Sequence, residues 1–367
     1  MGIKNISGGT GIIIDFKNEN RLRNFIEFLL FDTFMVFFII LKIKYLSFFM
    51  IAFVFKFYIV TFFFTFIVIN YSIAENSDIL LNEILPGVLV YNGQNEEQNQ
   101  TNQGAIANKV AIIGSEAILV YDTGPSKKFA ENFIKQVQKY SENPIKYLVV
   151  SHRHFDHAYG IEAYIQNKTI IYMDKTEYFY FKKEGPLINQ LLIKNFGFNE
   201  NNIDFSNISE KNINFINNKL ELDLGNRKVL VENMGIAHTK GDLVVYDYNT
   251  KTYLMGDLIF KGRAAAFSDA DIPLWINVLK NKLVLPWNFL IPGHGIAIKN
   301  DSALEDTKNW LYFIDKSLKR AISQGDMISE IFQYPIPKEV EHLKMKSLTL
   351  RQGIKKQLNL YKKKYIE

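Results

Sequence analysis

Five of the six histidines in this chain fall in three short motifs. Residues 151–157 read Ser-His-Arg-His-Phe-Asp-His, an HxHxDH pattern placed directly after the apolar run IKYLVV at 145–150. Alternate residues of an extended segment share a face, so His152 and His154 can turn toward one point. Asp156 and His157 begin the next turn and can reach a second point nearby. Neutral imidazole and carboxylate are ligand types that Zn²⁺, Fe and Mn accept. Three more candidates sit just past predicted strands: His238 in GIAHT, Asp257 in MGD and His294 in PGHG. A lone histidine near a strand end is usually a satisfied structural residue. Five gathered in three such places point instead to a metal site built from His152, His154, Asp156, His157, His238, Asp257 and His294. His342, in the basic C-terminal stretch, reads as a surface residue. Asp122, in Tyr-Asp-Thr-Gly at another strand end, reads either as a turn residue or as an acceptor that orients a ligand.

Composition narrows the chemistry further. There is no cysteine, which removes thiolate metal sites, cysteine nucleophiles and redox motifs. At 367 residues the chain can bury a sizeable core without disulfides. The net charge of +5 is modest for that size and names no partner. No basic patch interleaved with aromatic residues suggests nucleic acid, and the lysines of 355–364 read as a solvated helix face. A small-molecule substrate is the expected partner. Lys240, Arg263 and Tyr159 lie near the motifs and read as solvated surface, with a weaker reading as substrate contacts.

The elements that must position these residues are also legible. Strands are predicted at 87–91, 110–113, 117–121, 145–150, 169–173, 220–222, 229–232, 243–247, 252–254 and 289–291. Helical spacing predicts helices over 126–140, 158–167, 175–183 and 273–282. Ser302 with Glu305 predicts a capping box opening a helix that runs to about residue 323. Residues 92–107 are polar, and the length of that loop suggests a functional flap. Residues 184–216 are Asn-rich and ambiguous. Strands in runs, with helices between and after them, predict a mixed α/β sandwich.

Taken together, HxHxDH, then His, then Asp after Gly, then Gly-His-Gly resembles the metallo-β-lactamase-fold hydrolases over residues 84–296. The segments NQGAIAN (102–108), YDTGPS (121–126), AHT (237–239) with Asp242-Leu243, and GDLIF (256–260) are similar to a narrower group, the quinoprotein relay system zinc metallohydrolases. Residues 268–275 (SDADIPLW) depart from the more Gly- and Ser-containing stretch of that group. The resemblance implies an αββα four-layer sandwich and two Zn²⁺ ions, with Fe or Mn as alternatives. It implies that His152, His154 and His238 bind one ion, that Asp156, His157 and His294 bind the other, and that Asp257 bridges them. Two such cations share a water, lower its pKa and make it the nucleophile, and Asp156 could also orient it. A bridging aspartate is typical of thioester hydrolases of this fold such as glyoxalase II rather than of its β-lactamases. An ester or thioester hydrolase is therefore favoured over a β-lactamase. Phosphodiesterase chemistry stays open, because related nucleases share the same seven ligands. A non-hydrolytic role, binding a cofactor for a periplasmic quinoprotein system, is the alternative of a different class.

The first 74 residues read differently from the rest. Residues 25–41 are apolar apart from Glu27 and Asp32, and a second apolar stretch runs over 45–70, broken only by Lys56. Its end, 57–70, suits a signal-peptide core, and Ser72-Ile73-Ala74 supplies small residues at the spacing of a cleavage site. One reading is a cleaved export signal, with Met50 as a possible start. The other is an uncleaved anchor, since about 20 apolar residues span a bilayer. Either reading puts a folded domain over 75–325, with a basic helical extension over 326–367, in the periplasm, free or membrane-anchored.

Overall fold

Near-continuous apolar runs let the central strands bury both faces. The computed structural model describes residues 79–199 and 202–365, together with 24, 27, 28, 30–33, 35 and 55–62. Seven strands form one sheet in chain order: β1 (Asn82–Leu85), β2 (Val88–Tyr91), β3 (Lys109–Ile113), β4 (Ile118–Tyr121), β5 (Ile145–Val149), β6 (Ile170–Met173) and β7 (Ile213–Phe215). β1 to β4 form an antiparallel meander, and β4 to β7 run parallel. The second sheet has the order β12 (Phe289–Ile291), β11 (Thr252–Leu254), β10 (Leu243–Asp247), β9 (Lys228–Asn233), β8 (Lys219–Asp223). It is antiparallel except for the β11–β12 pair.

Three apolar clusters define the layers. Val88, Val110, Leu119, Tyr121 and Val149 of the first sheet meet Val229, Val231, Leu243, Val245 and Leu254 of the second. The alternate residues Leu89, Ala111, Val120 and Leu148 face helices α1 (Lys127–Val137), α3 (Ile161–Gln166) and α4 (Lys175–Phe196). Val244, Tyr246 and Tyr253 face α5 (Ile272–Asn281), α6 (Ser302–Gln324) and the C-terminal helix α9 (Lys346–Tyr365). The result is the helix–sheet–sheet–helix order expected from sequence. Each fully buried aliphatic or aromatic side chain in these clusters contributes about 1.5–3 kcal/mol of transfer free energy. The short helices α2 (Phe155–Ala158), α7 (Ile328–Ile331) and α8 (Lys338–Glu341) complete the set among the described residues of this part.

Several boundaries differ from the sequence reading. The helix predicted over 175–183 continues through Gly185 and Pro186 to Phe196. An interior proline costs about 3 kcal/mol, but here the turn is held by packing. The Tyr159 hydroxyl donates to the Gly185 carbonyl at 3.1 Å, and Phe205 lies so close that a Cβ on Gly185 would fall 2.3 Å from its ring. The helix predicted over 158–167 begins at Ile161, with Gly160 as its N-cap, and Ala158 instead closes the short α2. The capping box at Ser302 does not form: Asp301 is the N-cap, without a side-chain cap bond. β7 had no sequence signal.

Residues Met1–Ser77 form a unit apart from Asp78–Glu367. Its described positions are helical, with Phe31, Phe57 and Phe62 exposed. Among the described residues no helix is long and apolar enough to cross a membrane. The small-residue site at 72–74 and residues 45–54 and 63–70 of the second apolar stretch lie outside the described residues.

Candidate metal centre

Loops at one end of the two sheets carry all seven residues. His152 and His154 follow β5, Asp156 and His157 open α2, His238 lies between β9 and β10, and Asp257 and His294 follow β11 and β12. They meet in two groups. In the first, His154 Nδ1 lies 2.9 Å from His152 Nε2 and 3.2 Å from His238 Nε2. Asp257 Oδ2 lies 3.4 Å from His238 Nε2 and 3.9 Å from His152 Nε2. In the second, Asp156 Oδ2 is 3.4 Å from His294 Nε2 and 3.7 Å from His157 Nε2. Asp257 Oδ1 is 3.2 Å from His157 Nε2 and 3.4 Å from His294 Nε2. Two ligand atoms on one tetrahedral zinc are about 3.3 Å apart, and the carboxylate–imidazole separations are close to that size. Asp257 gives one oxygen to each group.

The outer nitrogen of every histidine is fixed. His157 Nδ1 donates to Asp122 Oδ2 at 2.7 Å. His152 Nδ1 lies 2.9 Å from Ser151 Oγ, whose own proton goes to Asp122 Oδ2 at 2.9 Å. His238 Nδ1 faces the Ala266 carbonyl at 3.1 Å, and His294 Nδ1 faces the Ile106 carbonyl at 2.9 Å. His154 is turned the other way, with Nε2 on Asp269 Oδ2 at 3.0 Å and Nδ1 inward. An N–H on each outer position leaves an unprotonated lone pair on each inner one, which is what a metal requires. His157 Nε2 and Asp257 Oδ1 are buried without a hydrogen-bond partner. Buried polar atoms are seldom left so, and a divalent cation would satisfy both. The donor set therefore fits the ions that the sequence implied.

The electrostatics agree. Burial, with Asp257 opposing, lowers the His238 pKa to about 3. Burial and the neighbouring His157 and His154 hold His152 well below its ordinary value. Burial works to raise Asp257, yet His294 and His157 outweigh it and hold the carboxyl well below the usual range. At His157 burial is outweighed by Asp257, Asp122 and Asp156, which push the imidazole up to about 10. The carboxylates thus draw positive charge to the point where the second group converges.

Tight turns make this approach possible. A Cβ on Gly293 would lie 2.0 Å from Asp257 Oδ1 and 2.7 Å from the Gly256 backbone, so only glycine fits before His294. Residues 92–107, expected as a flap, are seated on the second group. Asn108 Nδ2 donates to the carbonyls of Pro292 (2.8 Å) and Gly295 (2.6 Å), and Ile106 supplies the acceptor for His294.

Of the two readings of Asp122, the structure supports the orienting one. Its side chain is buried, and its backbone is held at φ 66° where the carboxylate meets Ser151 and His157. The surface reading is wrong for Arg263 and Tyr159, which are 7% and 1% exposed. Arg263 enters no ion pair among the described residues, and its Nε is buried without a partner. Tyr159 is a core residue, and Lys240 offers its backbone N–H to Glu177 at 2.8 Å. His342 is half exposed and 3.1 Å from Asp306, far in sequence from the motifs. Sequence reasoning missed Asp269, Ser151 and Glu177 as supports. Ser151 adjoins the motif and was readable in principle. Asp269 lies in the stretch 268–275 that departed from the narrower group.

The comparisons bear on the same residues. No curated protein matches the sequence. Similar solved structures include TMB-1, at 18% identity, covering 65% of this chain and 98% of that one, TM-score 0.49. A metallo-beta-lactamase from Pontibacter korlensis has 17% identity, covers 64% and 98%, and gives a TM-score of 0.48. DIM-1 metallo-beta-lactamase has 18% identity, covers 64% and 97%, and gives 0.48. Residues 104–294, a little over half of the chain and the span from the end of the 92–107 loop to the last motif histidine, match the metallo-beta-lactamase superfamily, and the chain belongs to that family.

Proposed function

We propose that the chain is a dinuclear metal-dependent hydrolase of acyl substrates, esters or thioesters, and that it works outside the cytoplasm. One observation carries the metal part: Asp257 turns Oδ2 to one histidine group and Oδ1 to the other. His152, His154 and His238 would hold one ion, Asp156, His157 and His294 the second, with Asp257 shared and zinc as the expected metal. Such a pair supplies an acidified water and a Lewis acid for the electrophile.

The chain's own residues do the rest. His154 is the most exposed of the seven, with 24% of its side chain accessible against 8% or less for the others, so substrate approaches on that side. Asp156, buried at the start of α2, offers a carboxylate that can accept a proton or orient a reacting water. Arg263, buried and without an ion pair beside His294, supplies charge for an anionic group on the substrate. The shared carboxylate of Asp257 favours acyl chemistry over lactam chemistry. The location outside the cytoplasm rests on the apolar segments before residue 75 and on their small-residue site.

The test is a hydrolysis screen of the zinc-loaded full chain against thioesters, lactones, a chromogenic β-lactam and bis-p-nitrophenyl phosphate. Turnover of a thioester or ester above the others supports the reading. Preference for the lactam or the phosphodiester overturns the substrate class, and no turnover at all favours a binding protein. N-terminal sequencing of the protein recovered from cells tests export, which a soluble cytoplasmic chain with residues 1–74 intact would contradict.

A further inference from the structure

The family match ends at residue 294, yet the C-terminal helix holds the segment that carries Asp269, the partner of His154. α9 presents Gly353 and Gln357 on one face, one turn apart. Gln357 is 1% exposed, and its Nε2 donates to the carbonyls of Phe267 (2.8 Å), Ala270 (2.9 Å) and Ser268 (3.2 Å). Gly353 lets the helix press on Phe267, since a Cβ there would fall 2.6 Å from the ring. Lys356 pairs with Asp269 Oδ1 from the same turn. The segment held in this way carries Asp269, whose Oδ2 meets His154 Nε2 at 3.0 Å and Arg153 Nη2 at 2.7 Å.

His154 is the histidine that needs such help. It faces the centre with Nδ1, so its far nitrogen points outward, beyond the reach of its own loop. Lys356 is exposed, with 57% of its side chain accessible, so its ion pair is screened and contributes little. The buried amide of Gln357 is the part of the contact that fixes backbone.

We propose that α9 is a positioning element of the first ligand group: Gln357 fixes residues 267–270 so that Asp269 holds His154 with Nδ1 toward the centre. The proposal rests on the reading of this centre as a metal site. It makes Gln357 and Asp269 positioning residues that act through His154, and it makes the C-terminal segment part of the centre.

The test uses the full chain and titrates Zn²⁺ and Co²⁺ against a chromophoric chelator, resolving the two binding steps. Gln357→Leu and Asp269→Ala are each expected to weaken the first-group ion by about 10–100-fold, the range for lost ligand supports. The second ion should stay within about twofold, and the Co²⁺ d–d spectrum of the first site should change. The double variant should be no worse than Asp269→Ala alone, because both changes act through one residue. If Gln357→Leu does not fold, Gln357→Asn, which withdraws the amide by one methylene, carries the same measurements. Equal weakening of both ions, additivity in the double variant, or an unchanged first-ion affinity overturns the proposal. A wild-type chain that binds neither ion would instead sink the metal reading itself.

Discussion

The two halves of the centre are built from different material. In the second group, Asp156, His157 and His294, the support of His157 comes from inside the sandwich, while His294 leans on the Ile106 carbonyl of the 92–107 loop. Asp122 at the end of β4 is 1% exposed and holds both His157 and the Ser151 backbone N–H, at 2.7 Å each. In the first group His152 shares that inner support through Ser151 Oγ, and the other two histidines are held from outside. His154 leans on the half-buried Asp269, and His238 on the Ala266 carbonyl. These two supports belong to a segment that α9 holds from 87 to 90 residues further along the chain. A support at a sheet end moves only if the sheet does. A support on a clamped loop can shift while the fold stays intact. His154 is therefore the adjustable ligand, and it is also the most exposed of the seven.

The largest expected effect is on the second group. Asp122→Ala leaves the His157 Nδ1–H and the Ser151 N–H buried without acceptors. It should weaken the second ion by about 100-fold and lower stability by about 2–4 kcal/mol. Chelator titration and denaturant unfolding check both. An equal loss at the first ion would erase the contrast between the halves. Gly104→Ala comes next. Gly104 sits at φ 76° with Phe155 and Phe198 packed over it, and a Cβ would lie 2.6 Å from the Phe155 ring. The strain should cost about 1–3 kcal/mol. It should loosen the second ion through the Ile106 carbonyl on His294, with the first ion unmoved.

Smaller effects sharpen the picture. Arg263→Met should leave both ion affinities within about twofold and raise KM for an anionic substrate by about tenfold. A tenfold change is what about 1.4 kcal/mol of lost binding gives, and kinetics on charged and neutral substrates of one series decide it. Ser151→Ala should show the smallest and most even change. Ser151 Oγ touches His152 of one group and Asp122, which serves the other, at 2.9 Å each. A loss of several-fold at both ions is expected, and a loss confined to one would show that the supports do not meet there.

Much of this site was readable from the chain because the decisive pattern is local. HxHxDH spans six residues, and strand ends with glycines mark the other three positions. Most strands were readable because β2 and β4 are short apolar runs bounded by turn residues, and β9 is rich in β-branched and aliphatic residues. The supports were not readable, for a physical reason. Asp269 lies 115 residues from His154, and Gln357 another 88 beyond it, and nothing in their residue types announces a role. Gly185-Pro186 misled in the opposite direction, since local breaker signals are strong and the packing of Phe205 and Tyr159 that overrides them is not local. Arg263 was misread as surface because charge predicts exposure on average, and a buried cation beside a polar site is the exception that sequence does not flag.

The most direct measurement is the metal content of the full chain, taken beside Asp257→Ala after identical zinc loading and desalting. The account predicts about two ions per wild-type chain, as a two-metal centre requires. It predicts the loss of at least one ion and of hydrolysis in the variant, because one carboxylate serves both groups. Equal metal content and equal rate in the two proteins would contradict it.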